Sequence, residues 1–110
     1  MLPALNRLPS PQIKSVMRHG RRVSVGDVQL IITHNTLNLS RFAFVVPTSV
    51  DKRAVWRNRL RRLVRESVRL VLPKIAPGWD GVFLIRKSLG NEFHGVDEKT
   101  RELLGRAGLL

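Results

Sequence analysis

The chain has 110 residues, 43% of them apolar, with 20 Lys or Arg against 8 Asp or Glu and a net charge of +12. Such a length supports one domain with one core, here expected over residues 1–110, and a charge that destabilises the compact state by self-repulsion calls for a polyanionic partner. The absence of cysteine excludes disulfides, thiolate metal sites and a cysteine nucleophile.

Residues 1–9 read as an irregular N-terminal arm. Ser10-Pro11 is a helix-start signal, a hydroxyl N-cap followed by proline at the first helical position. Ile13, Val16 and Met17 give an i, i+3, i+4 stripe and Gly20 a stop, which predicts a helix over about 11–19. Residues 22–34 are β-like. Val23 and Val25 alternate with polar neighbours; then Val28, Leu30 and Ile32 face one way while Gln29, Ile31 and Thr33 face the other. Asn35–Ser40 is a polar connection to a further alternating run, Phe42, Phe44 and Val46, and a hairpin is expected there. Pro47 closes that strand because it cannot donate to a ladder.

The next stretch, residues 52–69 (KRAVWRNRLRRLVRESVR), is the most informative of the chain. At 100° per residue, Trp56, Leu60, Leu63, Val64 and Val71 share one helical face. Arg57, Arg61, Arg65 and Arg69 follow one another at i, i+4 on a different face, with Asn58 and Arg62 beside them. Like charges at this spacing destabilise an isolated helix by roughly 0.2–0.5 kcal/mol per pair, and Glu66 is the segment's only acid. Arginine in place of lysine also matters, since its planar fork grips phosphate oxygens in a bidentate way and stacks on bases. The alternative to a polyanion site is a solvated charged face, which the one-sided pattern disfavours.

Pro73 ends that helix near Leu72, and Pro77-Gly78 is a turn. Asp80 is expected in a turn or cap just before a short buried strand, Val82–Ile85. Ser88–Gly95 reads as a loop, and Asp97 and Glu98 fall at the positive end of a last helix carrying Leu103 and Leu104. The order is α-β-β-β-α-β-α, an α+β sandwich.

Nothing in the chain reads as an active site. His19, His34 and His94 lie far apart and none has a ligand partner at metal spacing. There is no placed carboxylate pair, no nucleophile elbow and no phosphate-cradling glycine signature. The longest apolar run, Phe42–Pro47, is far short of the ~20 residues of a spanning helix, and the N-terminus lacks the apolar core of a signal peptide. A cytoplasmic protein without membrane association is the default.

The segment KRAVWRNRLRRLVRE resembles the signature of the bacterial ribonuclease P protein family, K-x-A-V-x-R-N-R-x-K/R-R-x-x-R-E. Asn6-Arg7-Leu8, Arg18-His19-Gly20 and the spaced Asp80, Val82 and Arg86 fall at the family's relative positions, so the resemblance covers roughly residues 5–88. It implies a fold like the second domain of small-subunit ribosomal protein five, with a left-handed βαβ crossover through the Arg-rich helix; strand physics alone favours the right-handed form. It also implies a ribonucleoprotein that removes the 5′ leader of precursor tRNA, in which the RNA subunit is the catalyst. The protein alone then binds no cofactor, magnesium is required by the RNA holoenzyme, and one protein serves each RNA.

Carried onto this chain, the resemblance assigns Arg57, Asn58, Arg59, Arg61, Arg62 and Arg65 to RNA contact, flanked by Lys52, Arg53 and Arg69. Such contacts position RNA without reading its sequence. Asn58 has a local backbone link as its alternative, and Arg59 a structural place nearer the packed edge. Trp56 is expected in the core. The leader is expected in a cleft between the sheet and the first helix, near Ile13, Met17, Ile31, Ile32, Thr48 and Ser49. Thr48 and Ser49 stand where the family usually has two lysines, and no tyrosine is available for stacking. A leader grip built on charge and apolar contact follows. The competing readings are a ribosomal or ribosome-associated RNA-binding protein and, more remotely, a DNA-binding protein, for which the Arg-rich helix has little besides Asn58 to read bases.

Overall fold

The computed structural model describes residues 2–87 and 93–110, the latter with side chains from residue 95 onward. A 3₁₀ turn (Ala4–Asn6) precedes α1 (Ser10–His19), β1 (Arg21–Val25), β2 (Val28–His34), β3 (Arg41–Val45), α2 (Ala54–Val71), β4 (Trp79–Ile85) and α3 (Phe93–Arg106). This is the α-β-β-β-α-β-α order expected. The four strands form one mixed sheet in the order β1-β2-β4-β3.

The hairpin expected across Asn35–Ser40 does not form. β2 pairs antiparallel with β4, and β4 pairs parallel with β3, so β4 lies between the two runs that the connection joins. The reason is burial: Gly81–Ile85 is buried throughout, and a strand apolar on both faces belongs in the middle of a sheet. The hairpin is instead β1–β2, turned by Gly26-Asp27. Gly26 has φ +56° and Asp27 does not share that region, the pattern of a type II′ turn with glycine first.

The two faces of the sheet carry cores of unequal size. Leu30, Ile32, Phe42, Phe83 and Ile85 meet Leu60, Val64, Val68 and Val71 of α2 and Val96, Leu103 and Leu104 of α3 in the main core. On the opposite face Ile31, Ala43, Val82 and Leu84 meet Leu8 and Val16, with Ile13 and Met17 of α1 packed at the rim. α2 and α3 are locked together by Ser67, which is buried and donates to the Asp97 carboxylate.

Three local expectations are corrected. Ser10 is inside α1 and caps nothing; Pro9, already extended, supplies the carbonyl that takes the first bond, from Gln12 N–H at 3.0 Å. Asp97 is the fifth residue of α3, past its first turn, so it serves Ser67 and Arg101 and not the helix dipole. Of the loop expected over Ser88–Gly95, residues 88–92 lie outside the described residues and 93–95 belong to α3. Gly20 does follow the last residue of α1, in extended backbone with φ −75°, so the position needs glycine for closeness and not for an unusual backbone. A Cβ there would lie 2.5 Å from Ile31 Cγ2 and 2.6 Å from the Val16 carbonyl oxygen.

Asp80 is part of β4, not a turn before it. Its buried carboxylate accepts two bonds from Arg41, at 2.9 and 2.8 Å, and one from Asn35 Nδ2 at 2.9 Å. Asn35 also donates through its backbone to the Gly78 carbonyl and accepts from Leu37 N–H. One carboxylate thus ties β3, β4 and the β2–β3 connection together. Burial works to raise the Asp80 carboxyl, but the bonds from Arg41 and Asn35 outweigh it and hold the group below the ordinary aspartate value.

A carboxyl held low stabilises the fold above its unfolded pKa, about 3.9, and loses that contribution as pH falls through the lower folded value. Asp80→Ala strands the Arg41 guanidinium, and removing one partner of a buried pair costs about 3 kcal/mol or more. Urea unfolding of wild type and variant should show that gap at neutral pH, and the gap should shrink as the pH is taken below about 4.

Candidate nucleic-acid interface

α2 is fixed from the inside. Burial begins at Leu60 and continues through Val64, Ser67, Val68 and Val71, a stripe that faces the sheet and α3. Trp56, expected in the core, lies a turn before this stripe; it is half-buried and carries the Arg53 guanidinium over its ring, 5.2 Å from the centroid.

The start of α2 is organised by charge and not by a capping side chain. Asp51 accepts the Arg53 backbone N–H at 2.9 Å and two bonds from the Arg53 side chain, at 3.1 and 3.0 Å. The Arg53 bonds hold the Asp51 carboxyl below the usual range. Arg57 turns back and donates to the carbonyl oxygens of Asp51 and Lys52, each at 2.9 Å. Arg57 is therefore part of the structure of the β3–α2 connection as well as a charge.

The four arginines at i, i+4 do not share one face. Four residues advance a helix by 400°, so each step drifts by about 40°. Arg57 begins near the packed flank and Arg69 ends toward solvent. In between, Arg61 donates to Asn58 Oδ1, giving Asn58 a local side-chain link, and Arg65 lies 5.9 Å from the Phe44 ring centroid. Arg69 makes a two-bond pair with Glu66, whose carboxyl it holds below the usual range.

The outward face belongs to other residues. Arg59 and Arg62 are exposed and have no hydrogen bond or ion pair among the described residues. Arg59 is thus not at the packed edge. Lys52 and Arg53 extend the exposed positive surface past the start of the helix, and Val55 and Leu70 lie exposed beside it. Two free guanidinium groups flanked by apolar side chains suit a phosphate backbone with its sugars.

The face under α1 carries a second basic surface. A groove of about 360 Å³ is lined by Met17, Arg22, Pro47, Ser49, Leu84 and Arg86. Of the residues expected at a cleft here, Met17 and Ser49 line it. Ile13 packs against the small core under α1 and is not part of the lining, and Thr48 is exposed in the turn next to Ser49. Ile31 is wholly buried beneath α1, and Ile32 is buried on the opposite face of the sheet, as a period of two requires. Neither isoleucine can touch a ligand in the groove. Arg22 and Arg86 were not foreseen in this role. Arg22 stands opposite Ile31 in the β1–β2 register, so its side chain emerges on the α1 face, where it donates to the Met17 carbonyl at 2.8 Å. The strand register, and not composition, is what reveals it.

Comparison with known proteins bears on the chain as a whole. The family model described as Ribonuclease P matches residues 2–108. The chain is 43% identical over 107 residues to the ribonuclease P protein component of Roseiflexus sp. (strain RS-1), covering 94% of this chain and 87% of that one. It is 37% identical to the component from Microcystis aeruginosa, over 99% of this chain and 96% of the relative. Among solved structures, the RNase P protein from Thermotoga maritima superposes with a TM-score of 0.81 at 29% identity, covering 91% of this chain and 96% of that one. The Staphylococcus aureus RNase P protein shares the fold, with a TM-score of 0.81 at 16% identity, over 100% and 95% of the two chains. The ribosomal and DNA-binding alternatives gain no support.

The division between free and engaged arginines is measurable. Arg59→Ala with Arg62→Ala should leave the melting temperature unchanged and flatten the log–log salt dependence of binding to structured RNA by about 2. Arg57→Ala should lower the melting temperature by several degrees, since it removes two charge-assisted bonds from the start of α2.

Proposed function

Since this chain belongs to the ribonuclease P protein family, we propose that it acts in tRNA processing by binding ribonuclease P RNA through α2 and the precursor 5′ leader through the groove under α1. The observation that carries this reading is the presence of two basic surfaces on separate parts of the molecule. A protein with both can hold catalyst and substrate at once.

In this reading the RNA subunit performs the chemistry and one protein serves each RNA, in the cytoplasm. Arg59 and Arg62, with Lys52, Arg53 and the outward parts of Arg61, Arg65 and Arg69, neutralise the backbone of the catalytic RNA and fix its register on α2. Arg57 and Asn58 keep the helix start and the neighbouring guanidinium in place. Arg22 and Arg86 hold leader phosphates at the groove rim, while Met17 and Leu84 give the sugars and bases an apolar floor. Ser49 and the nearby Thr48 contribute hydrogen bonds where lysines would contribute charge. Among the described residues no aromatic ring lines this groove, so leader affinity follows charge and length more than base identity.

Magnesium supplies Lewis-acid and water-activating chemistry when bound in such an assembly. The described residues of this chain do not fit it. Asp51, Glu66, Asp80, Asp97 and Glu102 each have an arginine partner, and among the described residues no three potential ligands converge. The ion belongs with RNA and phosphate oxygens, and the protein's part is to bind and orient.

The test is single-turnover cleavage of a 5′-leader precursor tRNA by a bacterial ribonuclease P RNA at low magnesium. Adding the protein should stimulate cleavage at the mature 5′ end, and the Arg59→Ala, Arg62→Ala variant should need a higher protein concentration for the same rate. Arg22→Ala with Arg86→Ala should reduce stimulation for long leaders more than for a one-nucleotide leader. Tight RNA binding without stimulation would contradict the assignment.

A further inference from the structure

A cavity on the other side of β3 shares only Arg65 with the two surfaces above. It measures about 270 Å³ and is lined by Leu2, Arg7, Phe42, Phe44 and Arg65, just below the roughly 300–1,000 Å³ of ligand sites for drug-sized molecules. The N-terminal arm makes it. Leu8 N–H donates to the Phe42 carbonyl at 2.9 Å, Asn6 Nδ2 to the Ser40 carbonyl at 2.9 Å, and Arg7 pairs in parallel with Phe42. The arm thereby covers the exposed edge of β3, and Leu2 is buried against the main core.

Two features set this cavity apart from a packing defect. Arg7 and Arg65 share it, and neither has a carboxylate partner among the described residues, whereas Arg41, Arg53, Arg69, Arg101 and Arg106 all do. Arg7 spends only its Nε on the Leu2 carbonyl, at 3.0 Å. The same cavity has an aromatic wall, Phe42 and Phe44. Phe44 is half-buried, held near-parallel to Phe83 at 5.5 Å between centroids, with Arg65 already 5.9 Å from its ring. Inorganic anions have no use for such a wall; a planar base with its phosphate uses both parts.

We propose that the cavity formed by the arm, β3 and α2 binds a single unpaired nucleotide of an RNA strand, its base against Phe44 and its phosphate between Arg7 and Arg65. The inference rests on the RNA-binding reading and adds a third point of contact. It also gives the arm a role, since the site does not exist unless Leu2, Asn6 and Leu8 hold the arm against β3.

The first test uses the isotope-labelled full chain titrated with AMP and, separately, with inorganic phosphate at matched ionic strength. AMP should shift the backbone amides of Arg7, Phe42, Phe44 and Arg65 saturably, phosphate alone should leave Phe42 and Phe44 unmoved, and Arg7→Gln should bind AMP roughly tenfold more weakly. Equal shifts from phosphate, shifts confined to the groove under α1, or an unchanged affinity in Arg7→Gln would overturn the proposal.

A second measurement identifies the strand in the assembled ribonucleoprotein. The chain has no cysteine, so Leu5→Cys, on the exposed side of the arm, takes a photocrosslinker uniquely. Adducts to an unpaired nucleotide of the catalytic RNA, or to one of the precursor, support the site and name its source; adducts to neither contradict it. Because wild-type stimulation of cleavage is read independently, failure of this site is distinguishable from failure of the family function.

Discussion

Six arginines on an 18-residue helix repel one another, and the whole molecule is arranged around holding that helix in place despite them. The repulsion amounts to only roughly 0.2–0.5 kcal/mol per like-charged pair, so it is overcome by packing. Leu60, Val64, Val68 and Val71 bury one stripe of α2, and Ser67 joins it to Asp97 of α3. Asp51, Arg53 and Arg57 then fix the start of the helix, where no capping side chain does so. What remains outward is charge that internal partners do not consume, chiefly Arg59 and Arg62. In the reading proposed, Arg57 serves the fold, Arg59 and Arg62 serve binding, and Arg61, Arg65 and Arg69 take part in both.

The sheet separates the two expected RNA contacts. β4 is central and buried, and the Asp80–Arg41–Asn35 cluster ties its first residues to β3 and to the β2–β3 connection. β3 consequently has a fixed place, with α2 on one of its faces and the α1 side on the other. The Pro47–Arg53 connection runs from one to the other, so Ser49 borders the groove while Arg53 borders the helix surface. Catalyst and leader, in the reading proposed, meet the protein at the two ends of seven residues. Their spacing is set by the fold and not by a mobile linker.

Much of this was legible in the residues. The period of 3.6 in α2 and the period of 2 in β2 located the helix, its buried stripe and the alternation that separates Ile31 from Ile32. The motif over residues 52–66 identified the family that the comparisons then showed. Pairing was not legible: nothing local states that β4 enters between β2 and β3, because that choice is made by burial of both faces of Val82–Ile85. Arg22 and Arg86 were missed for the same cause, since only the register brings them together with Met17. Trp56 was misplaced because helical phase gives a direction and not a distance, and the first turn of α2 extends beyond the core. The division of the arginines into engaged and free members depends on atoms of the neighbouring connection, which spacing cannot supply.

The central claim is that the outward arginines act as backbone neutralisers for a structured RNA. Its most direct measurement is the equilibrium affinity for ribonuclease P RNA between about 50 and 200 mM monovalent salt, the range over which counterion release is decisive. Some six phosphate contacts predict a linear log–log plot with a slope of about −4 or steeper. A slope shallower than about −2 would mean that α2 does not meet the RNA backbone in this way, and would contradict the account.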